Sequence, residues 1–203
     1  VIQAILQVFV SIGAVSKLRP SIYASDGKIV GGQNAKIENY PYMAGLEQNS
    51  LLLCGATIVS NRHLVTAAHC LENYPNVEEL QVRVGTAVRD TGGQTAHVRK
   101  YALHPKYTIE SADYDVAVVE LKNSLVFGST VKIVPLQEVN QEPAVGSLAN
   151  VTGWGYTTAD DMSLILQVIV IPRVDQEYCK EIWGVTSRMI CYGFHEGGKG
   201  ACG

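Results

Sequence analysis

Several things are missing from this sequence of 203 residues, and each absence removes a class of function. Its five cysteines, Cys54, Cys70, Cys179, Cys191 and Cys202, contain no Cys-x-x-Cys pair and no regularly spaced histidine partners. That argues against a structural zinc site. There is no basic excess. Sixteen Lys and Arg stand against 19 Asp and Glu, for a net charge of −3 and an isoelectric point near 6.0. Nucleic acid, which selects for a basic footprint, is therefore not an expected partner. Charge of either sign is sparse at 17%, and 47% of the residues are hydrophobic, which does not fit a disordered chain. No repeat or low-complexity tract stands out. A membrane-length apolar run is lacking at the amino end, where residues 1–14 are uncharged but interrupted by Gln3, Gln7 and Ser11. This stretch has the length of a signal-peptide core rather than of a span. No methionine opens the chain and no basic segment precedes the apolar run, so residues 1–16 are expected to be a signal-peptide remnant cut after Ser16. The expected location is extracellular, in a compartment that permits disulfides.

What is present points to strands. Glycine is abundant at 19 residues, and Val, Ile, Thr and Tyr recur in short runs punctuated by turn residues. Strands are expected at 51–59, 64–67, 80–85, 115–121, 148–153 and 164–171, with one short helix at Gln176–Trp183. Pro41, Pro105, Pro135, Pro143 and Pro172 separate them. Residues 17–28 are short, polar and linker-like. The fold class is all-β, and a sandwich or a barrel satisfies this pattern equally well.

Of five histidines, His63, His97, His104 and His195 have unremarkable neighbours. His69 differs. It lies in Thr66-Ala67-Ala68-His69-Cys70, where small residues lead to an imidazole followed by a cysteine able to anchor it. A histidine acting as general base needs a carboxylate on its other ring nitrogen. Asp113 and Asp115 both qualify. Asp115 opens an apolar run, where an unpaired carboxylate is costly, whereas Asp113 can be a solvated turn residue. A side-chain period of two places both on one face, so spacing does not choose between them.

Taken in order, the motifs resemble those of the trypsin/chymotrypsin family of serine proteases. Lys28 followed by Ile29-Val30-Gly31-Gly32 resembles the family's activation junction. Thr66-Ala67-Ala68-His69-Cys70 resembles the catalytic-histidine motif, and Asp115-Val116-Ala117-Val118 the catalytic-aspartate motif. Gly153-Trp154-Gly155 resembles the interdomain Gly-Trp-Gly. Met189-Ile190-Cys191-Tyr192-Gly193 and Gly197-Gly198-Lys199-Gly200-Ala201-Cys202 resemble the approach to the nucleophile. The resemblance covers residues 29–203 and implies two six-stranded antiparallel β-barrels, the second incomplete here. It implies that His69 is the base and Asp115 its orienting partner, that Cys54 pairs with Cys70 and Cys179 with Cys191, and that residues 17–28 are an activation peptide. Cleavage between Lys28 and Ile29 by an activating protease would release an amine that orders the pocket. The implied function is secreted serine endopeptidase, acting on protein or peptide substrates as a monomer without cofactor or metal and free of the membrane once the signal is removed.

The sequence also departs from the family pattern. It ends at Gly203, ahead of the Gly-Asp-Ser-Gly-Gly that would supply nucleophile and oxyanion donors, so the 203-residue polypeptide is expected to be inactive. Cys202 is left unpaired, since its family partner lies further downstream. Gly200 aligns with the base of the specificity pocket and carries no charge, so apolar rather than basic residues are expected before the cleaved bond. Segment 86–94, a calcium loop in trypsins, has Asp90 as its one carboxylate, and no calcium site is expected there. Asn150-Val151-Thr152 fits a glycosylation sequon within an expected strand. The alternative function is a non-catalytic homologue that binds or regulates.

Overall fold

Leu80, Val82 and Val84 alternate with Gln81 and Arg83, and this period of two buries the first set and leaves the second half-exposed. Ala117, Val119 and Leu121 do the same against Val118 and Glu120. The computed structural model describes residues 29–74, 76–110, 113–138, 141–156, 162–194 and 200–201. The expected signal remnant and activation peptide, with Lys28, as well as His195 and Cys202, lie outside the described residues.

Six of the strands close on themselves. They are β3 (Met43–Gln48), β4 (Leu51–Ile58), β5 (His63–Thr66), β6 (Leu80–Val84), β7 (Gln94–Leu103) and β8 (Ala117–Leu121). Their order around the barrel is β3-β4-β5-β8-β7-β6, antiparallel throughout. Closure removes the unpaired edges that an open sheet would leave. Leu46, Ile58, Leu64, Leu80, Val82, Val98, Val119 and Leu121 fill the interior and are wholly buried.

Two earlier strands are short, β1 (Ile29–Val30) and β2 (Gln33–Asn34). Beyond the barrel come β9 (Leu148–Gly153), β10 (Gln167–Pro172), α1 (Gln176–Trp183) and β11 (Gly200–Ala201). β2, β10 and β9 form a three-stranded antiparallel sheet, and β1 pairs with β11. The fold is mostly β, with one closed six-stranded barrel and a partial second sheet. Helix α1 begins at Asp175, whose carboxylate accepts from the N–H groups of Glu177 and Tyr178, and it stops at Gly184 in the left-handed region (φ 66°).

Besides the two-residue strands β1, β2 and β11, the sequence reading missed β3 and β7, which composition did not signal. In β3, Met43, Ala44 and Gly45 are weak strand formers, and the buried Glu47 breaks the apolar pattern. Glu47 is tolerated because Arg83 Nε and Gln81 Nε2 each donate to it at 2.6 Å. In β7, polar residues dominate and the register slips between Val98 and Lys100, so the alternation is lost.

The halves are joined by a shared cluster that includes Tyr42, Met43, Trp154, Leu166 and Val168. Trp154 is buried, and its indole N–H donates to the Ala87 carbonyl at 2.9 Å. The backbone N–H groups of Leu166 and Arg89 donate to Ala87 and Leu164 at 2.7 and 2.8 Å. These bonds fix segment 87–89 of the barrel against the second sheet.

Candidate active site

Strand register brings His69 and Asp115 together. β5 and β8 are antiparallel neighbours, with Thr66 opposite Ala117. Following β5 forward by three residues and β8 backward by two leads past the same end of the barrel. His69 and Asp115 meet there, although 46 residues separate them.

The approach to His69 is held on every side. The Thr66 hydroxyl donates to the Gly55 carbonyl at 2.8 Å, and Ala67 and Ala68 are buried where a longer side chain would displace core. The N–H groups of Leu71 and Glu72 both donate to the Ala68 carbonyl, closing a tight turn. Cys70 is disulfide-bonded to Cys54 of β4, with a Cα–Cα distance of 6.2 Å. Cys54, His69 and Cys70 cluster closely, but the two sulfurs are bonded to each other and the group offers a metal only an imidazole.

Asp115 is 1% exposed and both of its oxygens face His69. Oδ2 lies 2.7 Å from the ring Nδ1, and Oδ1 accepts from the His69 backbone N–H at 2.9 Å. A carboxylate so placed selects the Nδ1–H tautomer and leaves the lone pair on Nε2. The His69 side chain is 35% exposed, and with Nδ1 turned to Asp115, Nε2 is the ring nitrogen left for a reacting group. The Cys70 sulfur, a weak acceptor, lies 3.5 Å from it. The hydrogen bond to Asp115 raises the His69 pKa above 6.5. Burial opposes the rise, and the charges of Asp115 and Glu72 add to it. Glu72 is itself held by the Tyr107 hydroxyl, which donates at 3.0 Å.

The two carboxylates that spacing could not separate have different partners. Asp113 is a buried ion-pair member, not a solvated turn residue. Its oxygens accept from Arg188 Nε at 3.1 Å and from Arg188 Nη2, and Oδ1 accepts from Thr186 Oγ1 at 3.1 Å. The Arg188 bonds pull the Asp113 pKa below its usual value. Neither Arg188 nor Thr186 was identifiable in the sequence, because nothing local marks an arginine 75 residues away as a partner. Between the two carboxylates sits Tyr114 at φ 57°, with the Val116 N–H donating to its carbonyl at 2.7 Å. A bulky residue in this region costs about 1–3 kcal/mol unless its surroundings impose it.

The remaining sequence candidates are dispersed. Among the described histidines, His63 Nδ1 is 2.9 Å from Ser60 Oγ, and His104 Nδ1 accepts from the Lys106 N–H. Gly200 lies in β11 opposite Val30, with Ala201 opposite Ile29. Cys179 of α1 is bonded to Cys191. Asn150 lies in mid-strand on β9 opposite Val170. Asp90 accepts from the Leu52 N–H at 3.0 Å and from Arg89 Nε, and so braces the β3–β4 hairpin.

The chain is similar to known proteins over most of its length. The chain is 36% identical to Trypsin 5G1 of Aedes aegypti, over 95% of its own length and 74% of that protein's. It is 34% identical to the Vitellin-degrading protease of Bombyx mori, over 90% and 71% of the two lengths. To Hypodermin-A of Hypoderma lineatum it is 41% identical over 66% of this chain and 51% of that one. The family model for Trypsin matches residues 29–203. With a closed antiparallel barrel that carries a His–Asp pair at one end, the chain belongs to the trypsin family of serine endopeptidases.

Proposed function

We propose that His69 and Asp115 are the base and orienting members of a Ser-His-Asp triad in a secreted endopeptidase that acts on proteins. The observation that carries this is the double engagement of Asp115 with the His69 Nδ1 and backbone N–H, which leaves Nε2 of the part-exposed ring outside that pair. In the proposed reaction, Nε2 takes the proton of a serine hydroxyl as its oxygen attacks the peptide carbonyl. Asp115 stabilises the resulting imidazolium. The proton then passes to the leaving amine, leaving an acyl-enzyme that water hydrolyses by the same route.

The activating cut falls between Lys28 and Ile29, ahead of domain 29–203. The β1–β11 pairing supports this reading, because it sets the Ile29 backbone beside the strand that carries Gly200. Gly200 forms an uncharged base of the specificity pocket and favours an apolar residue before the cleaved bond. Exclusive cleavage after Lys or Arg would overturn that assignment. The 203 residues contain no Gly-Asp-Ser-Gly-Gly, so this polypeptide by itself is proposed to hydrolyse nothing.

The test has three arms. The purified 203-residue polypeptide should give no His69-dependent turnover of a casein or peptide substrate. The source transcript, read past the codon for Gly203, should encode Gly-Asp-Ser-Gly-Gly in frame. The protein carrying that motif, once cut after Lys28, should lose about 10⁴-fold in kcat/KM on His69→Ala or Asp115→Asn. Turnover that survives His69→Ala rejects the role proposed for His69, and a transcript that encodes no serine there rejects the triad and leaves a binding role.

A further inference from the structure

We propose that Arg188 and Asp113 form a clamp that positions Asp115 against His69, linking the segment after α1 to the turn that carries the carboxylate. This rests on the reading of His69 and Asp115 as a catalytic pair, and it makes Arg188 a positioning residue.

The Arg188 side chain is half-exposed, and an ordinary surface ion pair contributes little to stability; this one differs in its buried carboxylate and forked geometry. Asp113 is 7% exposed, and Arg188 engages it through two nitrogens of its fork. Thr186 Oγ1 and the Tyr114 N–H occupy further acceptor positions on the same carboxylate. The Arg188 guanidinium also lies 4.5 Å from the centroid of the Tyr114 ring, and His104 stacks on that ring at 4.5 Å and 11°. Residue 114, with its left-handed backbone, is thus held both through its ring and through the residue before it. Asp115 follows immediately.

The base of the clamp is fixed as well. Gln176 of α1 donates through Nε2 to the carbonyls of Thr186 and Met189 at 3.2 and 2.9 Å. Cys191 is tied back to Cys179 in the same helix. A continuous path of fixed groups therefore runs from α1 through the 186–191 segment, Arg188, Asp113 and the strained turn to Asp115. Loss of the guanidinium frees the turn to relax from its left-handed geometry, and Asp115 then loses one or both bonds to His69.

The sign of the effect separates positioning from simple charge. Removing the Arg188 cation, or leaving Asp113 without it, makes the surroundings of His69 more negative and raises the pH at which the imidazole titrates. Loss of the Asp115 hydrogen bond lowers it. The experiment follows His69 by proton NMR in the whole 203-residue chain, through its Cε1–H titration and its Nδ1–H signal. Arg188→Ala should lower the titration midpoint by roughly one pH unit and broaden the Nδ1–H signal. Arg188→Lys keeps the charge but not the fork, and should restore only part of the shift. Arg99→Ala, which removes an exposed pair with Glu120 on the barrel, should change neither signal. A midpoint unchanged or raised in folded Arg188→Ala overturns the clamp. Should Arg188→Ala unfold, a wild-type midpoint in Arg188→Lys overturns it instead. No turnover is measured, so a failure of the proposed endopeptidase activity is registered by its own assay and not by this one.

Discussion

The closed barrel and the second sheet are built from similar strand-forming residues but protect them differently. In the barrel every strand has a neighbour on both sides, and one continuous interior contains Leu46, Ile58, Leu64, Val98 and Val119. In the second sheet, β9 and β10 share a small cluster of Ala149, Val151, Ile169 and Ile171, while Leu148 and Val170 are exposed on the same strands. Among the described residues, the His69–Asp115 pair stands on the closed barrel. A hydrogen bond of 2.7 Å requires its two ends to be fixed independently, and strands paired on both edges provide that. The second half contributes through Arg188, which reaches across to the turn before Asp115.

Deletion of core methyl groups is the strongest way to break this comparison. Leu64→Ala empties a site at the centre of the barrel, where neighbours on all sides hinder collapse. It should cost about 4 kcal/mol, within the range for such changes. Ile171 is equally buried but belongs to the smaller cluster, and Ile171→Ala should cost about 2 kcal/mol because fewer contacts are lost and the site can relax. Urea unfolding of both variants measures the difference. Equal costs would mean that the second sheet is packed as tightly as the barrel.

Part of this was legible in the sequence. Strands were expected at 80–85 and 115–121 and a short helix at Gln176–Trp183, but composition left sandwich and barrel open, and the incomplete second barrel was implied only by the family resemblance. The structure begins β8 at Ala117, so Asp115 lies in the turn before the strand, where both of its oxygens can turn toward His69. β3 was not legible because its buried Glu47 makes sense only beside Arg83, which is 36 residues away. The same limit applied at the site. His69 stood out by its local motif and the family resemblance implied Asp115, but the physical grounds that separate Asp115 from Asp113 are the β5–β8 register and Arg188. Both are long-range facts.

A milder test uses pH. The His69 pKa is raised in the folded chain, chiefly by its bond to Asp115. A group with a raised folded pKa contributes stability that is fully present below its unfolded value of about 6.5. That contribution is lost as pH rises through the folded value. Stability from urea unfolding should therefore fall as pH climbs from about 6 through the His69 midpoint. Asp115→Asn should flatten this segment of the profile. Ile171→Ala should shift the whole curve down without changing its slope there, because the second sheet contributes no group to that titration. An unaltered slope in Asp115→Asn would place the pH dependence elsewhere in the molecule.

The smallest expected effect lies on the exposed face of the second sheet. Leu148 opens β9 with 69% of its surface in water, opposite Pro172. Leu148→Thr introduces a β-branched strand former and removes exposed apolar surface. Surface substitutions of this kind stay within about 0.5 kcal/mol, so urea unfolding should barely move. Sedimentation is the sharper reading. If Leu148 and Val170 are sticky in water, Leu148→Thr should reduce concentration-dependent self-association and leave the unfolding midpoint alone. A loss of more than about 1 kcal/mol would mean instead that Leu148 is covered in solution. In that case the contrast between a closed, self-sufficient barrel and an open second sheet would not hold at this strand.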